Sequence, residues 1–354
     1  MKFIHCADFH FGRPLSSIDS ETAADIIREE MFEALKEICG LAADADALLI
    51  AGDLFDSPRI DERTAEKVFG CLSEVGRVFI SPGNHDMPDV YRKLRLPQNV
   101  HVFLKGQILS QRQRAFRRDQ TLHHRVWRNG GRPIGDVALD SEKVNILCIH
   151  TQLDGSGEYN SISSRELCSH GFSYAALGHV HSFSGVKESG GTHYAYSGCP
   201  VGGGFDELGD TGVISLEITK SSFDAQFVPC GKRRFREETV ILSNAGGYDD
   251  IVLSEPQKSD LYKITLKGTV SEDFVLRPDI LREKIKDRYF FVKVNNETRV
   301  HIPYDDMAKE YSLKGIFVSK MLEKIKSDPE NPELLRALEL GVRVLDGKKA
   351  GDCL

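Results

Sequence analysis

The sequence predicts an α/β protein in which a layer of short, buried strands carries the chemistry and a smaller α/β unit follows. Three observations carry this expectation. Apolar runs at residues 3–4, 47–51, 78–80, 144–149 and 174–177 each end in a polar segment, and continuous runs of this kind suit strands buried on both faces. Patterns of helical period separate the first three. At 354 residues the chain also exceeds the roughly 250–300 at which a single core stops growing, so two domains are expected.

Between residues 21 and 41, Ile26, Ile27, Phe32, Leu35, Ile38 and Leu41 recur at helical spacings and predict a helix with one face on a sheet. A second helix is predicted over residues 61–75. Residues 193–197, 212–218 and 223–228 read as strands that complete this layer. The basic stretch from Lys232 to Arg236 then marks a boundary, giving a catalytic domain over residues 1–235 and a capping, recognition domain over residues 236–354. Within the latter, residues 261–267 and 289–294 read as strands and 276–286 as a helix between them. Two amphipathic helices follow, over residues 313–325 and 334–345, split by Ser327-Asp328-Pro329-Glu330-Asn331-Pro332, which signals a helical hairpin. Ile316, Phe317, Met321, Leu322 and Ile325 either pack within that hairpin or receive a partner's helices.

The polar segments are Ala7-Asp8-Phe9-His10, Gly52-Asp53-Leu54-Phe55-Asp56, Gly83-Asn84-His85-Asp86, His150, and Gly178-His179-Val180-His181. Side chains alternate along a strand, so Asp8 and His10 are expected on one face, as are His179 and His181. Carboxylate, imidazole and amide donors mixed in this way suit manganese, iron or zinc. Seven candidate ligands exceed what one ion needs. They fit a pair of ions about 3.5–4 Å apart, which activates water for in-line displacement at phosphorus. An isolated Asp-x-His is as readily a turn, since Asn, Asp and Gly favour turns for backbone reasons; five such segments in order are not. His5, His101, His123, His124, His170, His193 and His301 lack a motif partner and read as core or surface histidines. Gly202-Gly203-Gly204 reads as a loop permitting positive φ rather than a phosphate cradle.

These five segments, in this order, resemble the calcineurin-like metallophosphoesterase superfamily, and within it Gly52-Asp53-Leu54-Phe55-Asp56 and Gly83-Asn84-His85-Asp86 are similar to the SbcD-type DNA-repair exonucleases, including a bacterial subgroup with a short cap. Ser57-Pro58 and Asp86 stand where the superfamily's protein phosphatases usually carry Arg-Gly and Glu. The resemblance implies a four-layer αββα sandwich with a smaller α/β cap and a C-terminal helical hairpin. Carried over by position, it assigns Asp8, His10 and His181 to one ion, and Asn84, His150 and His179 to the other. Asp53 bridges them, and the ions are most often manganese. His85, with no ion left to bind, orients the phosphate or protonates the leaving oxygen. Asp86 orients His85 or a neighbouring ligand. The implied partners are DNA and an SbcC-type coiled-coil ATPase. For the helices at residues 21–41 and 61–75, a two-fold dimer contact and a simple cover for the sheet both remain open.

Net charge is −7, awkward for a DNA-binding protein, but its distribution matters more than its total. From Gly106 to Gly135 there are seven arginines (112, 114, 117, 118, 125, 128 and 132) against a single acid, Asp119, so this stretch carries +6 and the remainder −13. Three readings stay open. It is a basic loop that neutralises DNA phosphates, with Trp127 stacking on a base; a solvated connection; or an out-of-frame stretch, since it lacks the strand-like pattern expected between Val102 and Val144. Eight scattered cysteines without a Cys-x-x-Cys pair predict free thiols in a reducing cytoplasm. No charged-then-apolar leader and no run of about 18 apolar residues point to secretion or membrane insertion. The expected activity is that of a two-metal DNA phosphodiesterase, a double-strand exonuclease and single-strand endonuclease. A small-molecule phosphodiesterase or phosphatase and a DNA-end-binding scaffold are the alternatives.

Overall fold

A computed structural model describes residues 1–104, 107–109, 120–124, 134, 139–155 and 160–347. Two six-stranded sheets organise the site. The first is ordered Phe223–Pro229, Gly212–Ile218, Lys2–Cys6, Ala47–Ile50, Val78–Ile80, Val100–Val102, with its last four strands parallel. The second is ordered Lys187–Ser189, Thr192–Tyr196, Tyr174–Gly178, Val144–His150, Gln120–His124, Gln107–Leu109.

Alternation along each strand builds three apolar layers. Ile4, Cys6, Leu48 and Ile50 pack with helix Glu21–Leu41 and helix Glu62–Leu72. Their neighbours Phe3, Ala47, Leu49 and Ala51 turn the other way, against Ile146, Cys148, Tyr174 and Ala176 of the second sheet. Leu147, Ile149, Ala175 and Leu177 close the far side with Leu167 and Phe172. Helix, sheet, sheet and helix are thus stacked as an α/β sandwich, and the continuous apolar runs follow from burial on both faces. Ser20 and Asp61 cap the two helices by accepting from Ala23 N and Thr64 N. Ile26 and Leu41, counted on the buried stripe in the sequence, are each 38% exposed because Ile27 and Ile38 take the ridge that faces the sheet.

The arginine-rich stretch departs from expectation. Strands Gln107–Leu109 and Gln120–His124 fall inside it and extend the second sheet at its edge. The seven arginines and Trp127 lie outside the described residues.

Past Pro229 lies an element not expected from the sequence, the eleven-residue strand Phe235–Ala245, whose outward positions obscure its period. The basic run that leads into it is tied down by ion pairs: Lys232 to Glu33 at 2.6 Å, Arg233 to Glu30 at 3.0 Å and, within the strand, Arg236 to Asp260 at 2.6 Å. The chain groups into two compact units, residues 1–238, 254–264 and 282–294 in one, and residues 239–253, 265–281 and 295–354 in the other. In the second unit, helix Leu313–Ser327 and helix Pro332–Leu345 form a hairpin around Val318, Leu338 and Val342, with Phe317, Met321, Leu322 and Ile325 packed against them. Ile316 instead faces solvent, 57% exposed. Among the described residues, no helix is long and apolar enough to cross a membrane, and the seven described cysteines are free.

Candidate metal centre

The candidate ligands sit at or just beyond the carboxyl ends of parallel strands, where open α/β sheets leave a crevice. Apart from His150, which closes strand Val144–His150, they do not lie on the strands themselves. Lys2–Cys6 ends before Asp8, and Asp8 (φ 56°), His10 (φ 52°), Asp53 (φ 49°) and His179 (φ 110°) all have left-handed backbone. Strand alternation therefore does not bring Asp8 and His10 together; two left-handed turns do. Non-glycine residues in such conformations cost of order 1–3 kcal/mol each and cluster at functional sites. The loops are fastened to one another to hold them. Asp8 N donates to Gly52 O at 3.0 Å, His10 N to Asp53 O at 2.9 Å and Phe11 N to Leu54 O at 2.9 Å. Thr151 N donates to Gly178 O at 3.2 Å on the second sheet. Gly178 lets the sheets meet, since a Cβ there would stand 1.9 Å from Ala51 O.

Three groups of donors result: Asp8, His10 and His181; His10, Asp53 and His85; and Asp8, Asp53 and His150, each with its ligand atoms within 4.8 Å of one another. Asn84 joins the last through its Oδ1, 2.9 Å from His150 Nε2. His179 lies outside these tight groups. Its backbone N donates to both oxygens of Asp8 at 3.1 Å, and its ring centroid is 5.3 Å from that of His150.

Three imidazoles are oriented alike. His10 Nδ1 donates to Asp56 Oδ1 at 3.0 Å, His150 Nδ1 to Ala51 O at 3.0 Å, and His181 Nδ1 to Glu207 Oε1 at 2.6 Å. A neutral imidazole has one N–H, so each Nε2 carries a lone pair, and these converge. His10 Nε2 and His181 Nε2 are 3.2 Å apart, and His150 Nε2 is 3.3 Å from Asp53 Oδ2. Lone pairs and carboxylate oxygens gathered with their outer N–H groups already committed make a pocket for cations. The residues present fit divalent metal ions.

Electrostatics agree. Burial opposes charge on His150, but the Asp53 hydrogen bond and the Asp53 and Asp8 charges outweigh it and raise its pKa to about 9. Without an ion, a proton is therefore held at that Nε2 near neutral pH, and a metal ion would have to replace it. Burial also opposes charge on Asp53, yet its bond to His150 and the charges of His150 and His10 hold it down at about 2. For His10, burial dominates and lowers the pKa to about 3, leaving the lone pair free of a proton.

His85 is half exposed, and its Nδ1 donates to Asp56 O at 2.9 Å. Its ring stands edge-on to His10 at 4.7 Å. Asp86 is fully buried and does not bond to His85. It accepts from Leu54 N at 2.7 Å, Phe55 N at 3.1 Å, Gly83 N at 2.7 Å and the Tyr91 hydroxyl. Asp86 therefore splices the Asp53 loop to the Asn84 loop. Asp56 and Glu207, neither among the expected ligands, complete the centre. Asp56 belongs to the Gly52–Asp56 segment, whereas Glu207 has no local signal in the sequence. Gly202, Gly203 and Gly204 do not adopt the positive φ expected of them.

Over residues 1–183, which include all five ligand segments, the sequence matches the calcineurin-like phosphoesterase family. The chain belongs to that family. It is 28% identical over 221 residues to the DNA double-strand break repair protein Mre11 of Aeropyrum pernix, a match covering 56% of this chain and 53% of that protein. It is 26% identical over 256 residues to the uncharacterized metallophosphoesterase YhaO of Bacillus subtilis, covering 64% of this chain and 60% of the relative. The matched part is thus less than two thirds of either relative's length. The donor groups described above lie within or beside the part of the chain that matches this family.

Proposed function

We propose that this phosphoesterase is a DNA phosphodiesterase that releases nucleotides from duplex ends and cuts single strands. The observation that carries the metal chemistry is the common orientation of His10, His150 and His181, each with Nδ1 committed outward and Nε2 turned inward. The partial similarity to a double-strand break repair protein supports DNA as substrate. In this reading Asp8, His10 and His181 would hold one manganese ion, Asn84, His150 and His179 would hold the other, and Asp53 would serve both. Metal ions bound there would supply neutralisation of phosphate charge and activation of water near neutral pH.

The remaining chemistry belongs to the chain. His85 Nδ1 donates to a backbone carbonyl, so its second nitrogen is the one free to exchange a proton with a substrate or leaving-group oxygen. Asp56 holds both ends of this arrangement, His10 through its carboxylate and His85 through its backbone oxygen. Asp86 fixes the spacing of the Asp53 and Asn84 loops.

Residues 236–354 are assigned to recognition. Leu313, Ile316 and Leu335, exposed by 72%, 57% and 46%, support the hairpin as the seat of an SbcC-type coiled-coil ATPase. The deciding experiment compares a linear DNA duplex, bis-p-nitrophenyl phosphate and p-nitrophenyl phosphate, each with Mn2+ and with EDTA. Mn2+-dependent cleavage of the duplex is expected. Turnover of the monoester with none of the duplex would make this a small-molecule phosphatase, and no turnover of any substrate would favour an end-binding scaffold.

A further inference from the structure

Glu207 follows His181 by 26 residues, outside every motif segment and outside the family match. Its side chain is 1% exposed. Both carboxylate oxygens are held from within the protein: Arg13 Nη1 donates to Oε1 at 2.9 Å and Oε2 at 3.0 Å, and Gly203 N donates to Oε2 at 2.6 Å. Cys199 Sγ lies 3.7 Å from Oε2. Arg13 in turn lies against the chain at Gly203, where a Cβ would stand 2.2 Å from Nη1. A side chain at position 203 would have to displace the Arg13 guanidinium. The carboxylate is therefore fixed between a permanent cation and the His181 Nδ1–H, 2.6 Å away.

Resting on the metal reading above, we propose that Glu207, clamped by Arg13, is a positioning residue that fixes His181 as an Nε2 donor to the ion it shares with Asp8 and His10. An imidazole without an outer acceptor can swap tautomers or rotate, and either change takes Nε2 away from the ion. A buried carboxylate that cannot itself move removes both freedoms. The corresponding support of His10 is weaker, because the Asp56 side chain is 24% exposed and, among the described residues, no arginine hydrogen-bonds to it. The two histidines of one ion are thus held unequally, and the firmer support comes from a residue distant in sequence. Since Glu207 touches neither His150 nor Asn84, its loss is expected to weaken one ion and spare the other.

The test is calorimetric titration of the full chain with Mn2+, wild type against Glu207→Gln. The expected result is two ions in the wild type and, in the variant, one ion of wild-type affinity with the other weakened ten- to hundred-fold. In the Co2+-loaded protein the visible absorption band of one ion should shift. If Glu207→Gln does not fold, Glu207→Asp carries the same test. It keeps a charge for Arg13 but withdraws the carboxylate from Nδ1 by one methylene, and the same single-ion loss is expected. Two ions at wild-type affinity in the folded variant overturn the role of Glu207 alone. A wild-type chain that binds no Mn2+ overturns the metal reading itself.

Discussion

His10 Nε2 and His181 Nε2 face each other at 3.2 Å. With both Nδ1 hydrogens committed, to Asp56 and Glu207, the two Nε2 atoms are held at a separation that a proton or a metal ion between them makes favourable. Around His150 the same logic places its Nε2 beside Asp53 and Asn84. Outer hydrogen bonds set the direction of His10, His150 and His181.

A proton and a metal ion compete for His150 Nε2. With its pKa raised to about 9, His150 must release a proton before an ion binds near neutral pH. Mn2+ affinity is expected to rise about tenfold per pH unit from pH 7 towards 9, as read by titration in buffers of different pH. An affinity independent of pH would remove His150 from the ligand set.

Asp53→Asn should lower Mn2+ occupancy and abolish hydrolysis of bis-p-nitrophenyl phosphate, because that carboxylate lies in two of the three donor groups. Full activity in this variant would sink the two-ion assignment.

His85→Ala should keep both ions and lose about 10²–10⁴ in turnover, the usual contribution of a positioned acid or base. Elemental analysis together with steady-state rates separates this from a ligand role; loss of metal would place His85 among the ligands.

Asp86→Asn turns an acceptor with four donors around it into a group that must aim an N–H at one of them. A loss of about 3 kcal/mol in urea unfolding is expected. Unchanged stability with lost turnover would instead give Asp86 a catalytic part.

His5 is a core histidine. Its Nε2 donates to Leu177 O at 3.1 Å and its Nδ1 accepts from the Tyr174 hydroxyl at 2.9 Å, and burial lowers its pKa from 6.5 to about 3. The unfolded chain therefore binds the extra proton in this window. Stability present above pH 6.5 is lost as pH falls towards 3, by about 2 kcal/mol on reaching pH 5. Urea midpoints in EDTA at pH 7 and 5 should show this loss in the wild type and a loss smaller by about that amount in His5→Leu; equal losses would place the acid sensitivity elsewhere.

Much of the fold was legible because burial on both faces writes a strand such as Ala47–Ile50 as an unbroken apolar run, and because one-sided burial gives Glu21–Leu41 its helical period. Phe235–Ala245 was missed since its alternation is broken by exposed charged and polar positions. The residues that meet at the centre were legible as types at strand ends. How they meet was not, because the left-handed turns at Asp8, His10 and Asp53 override strand alternation. Glu207 could not be read at all, since its partnership with His181 and Arg13 exists only once the chain is folded.

Counting the Mn2+ ions bound per chain, by calorimetry on the metal-stripped wild type followed by elemental analysis of the dialysed protein, tests the central claim most directly. Two ions per chain are predicted. None, or a single ion that survives Asp53→Asn unchanged, would contradict it.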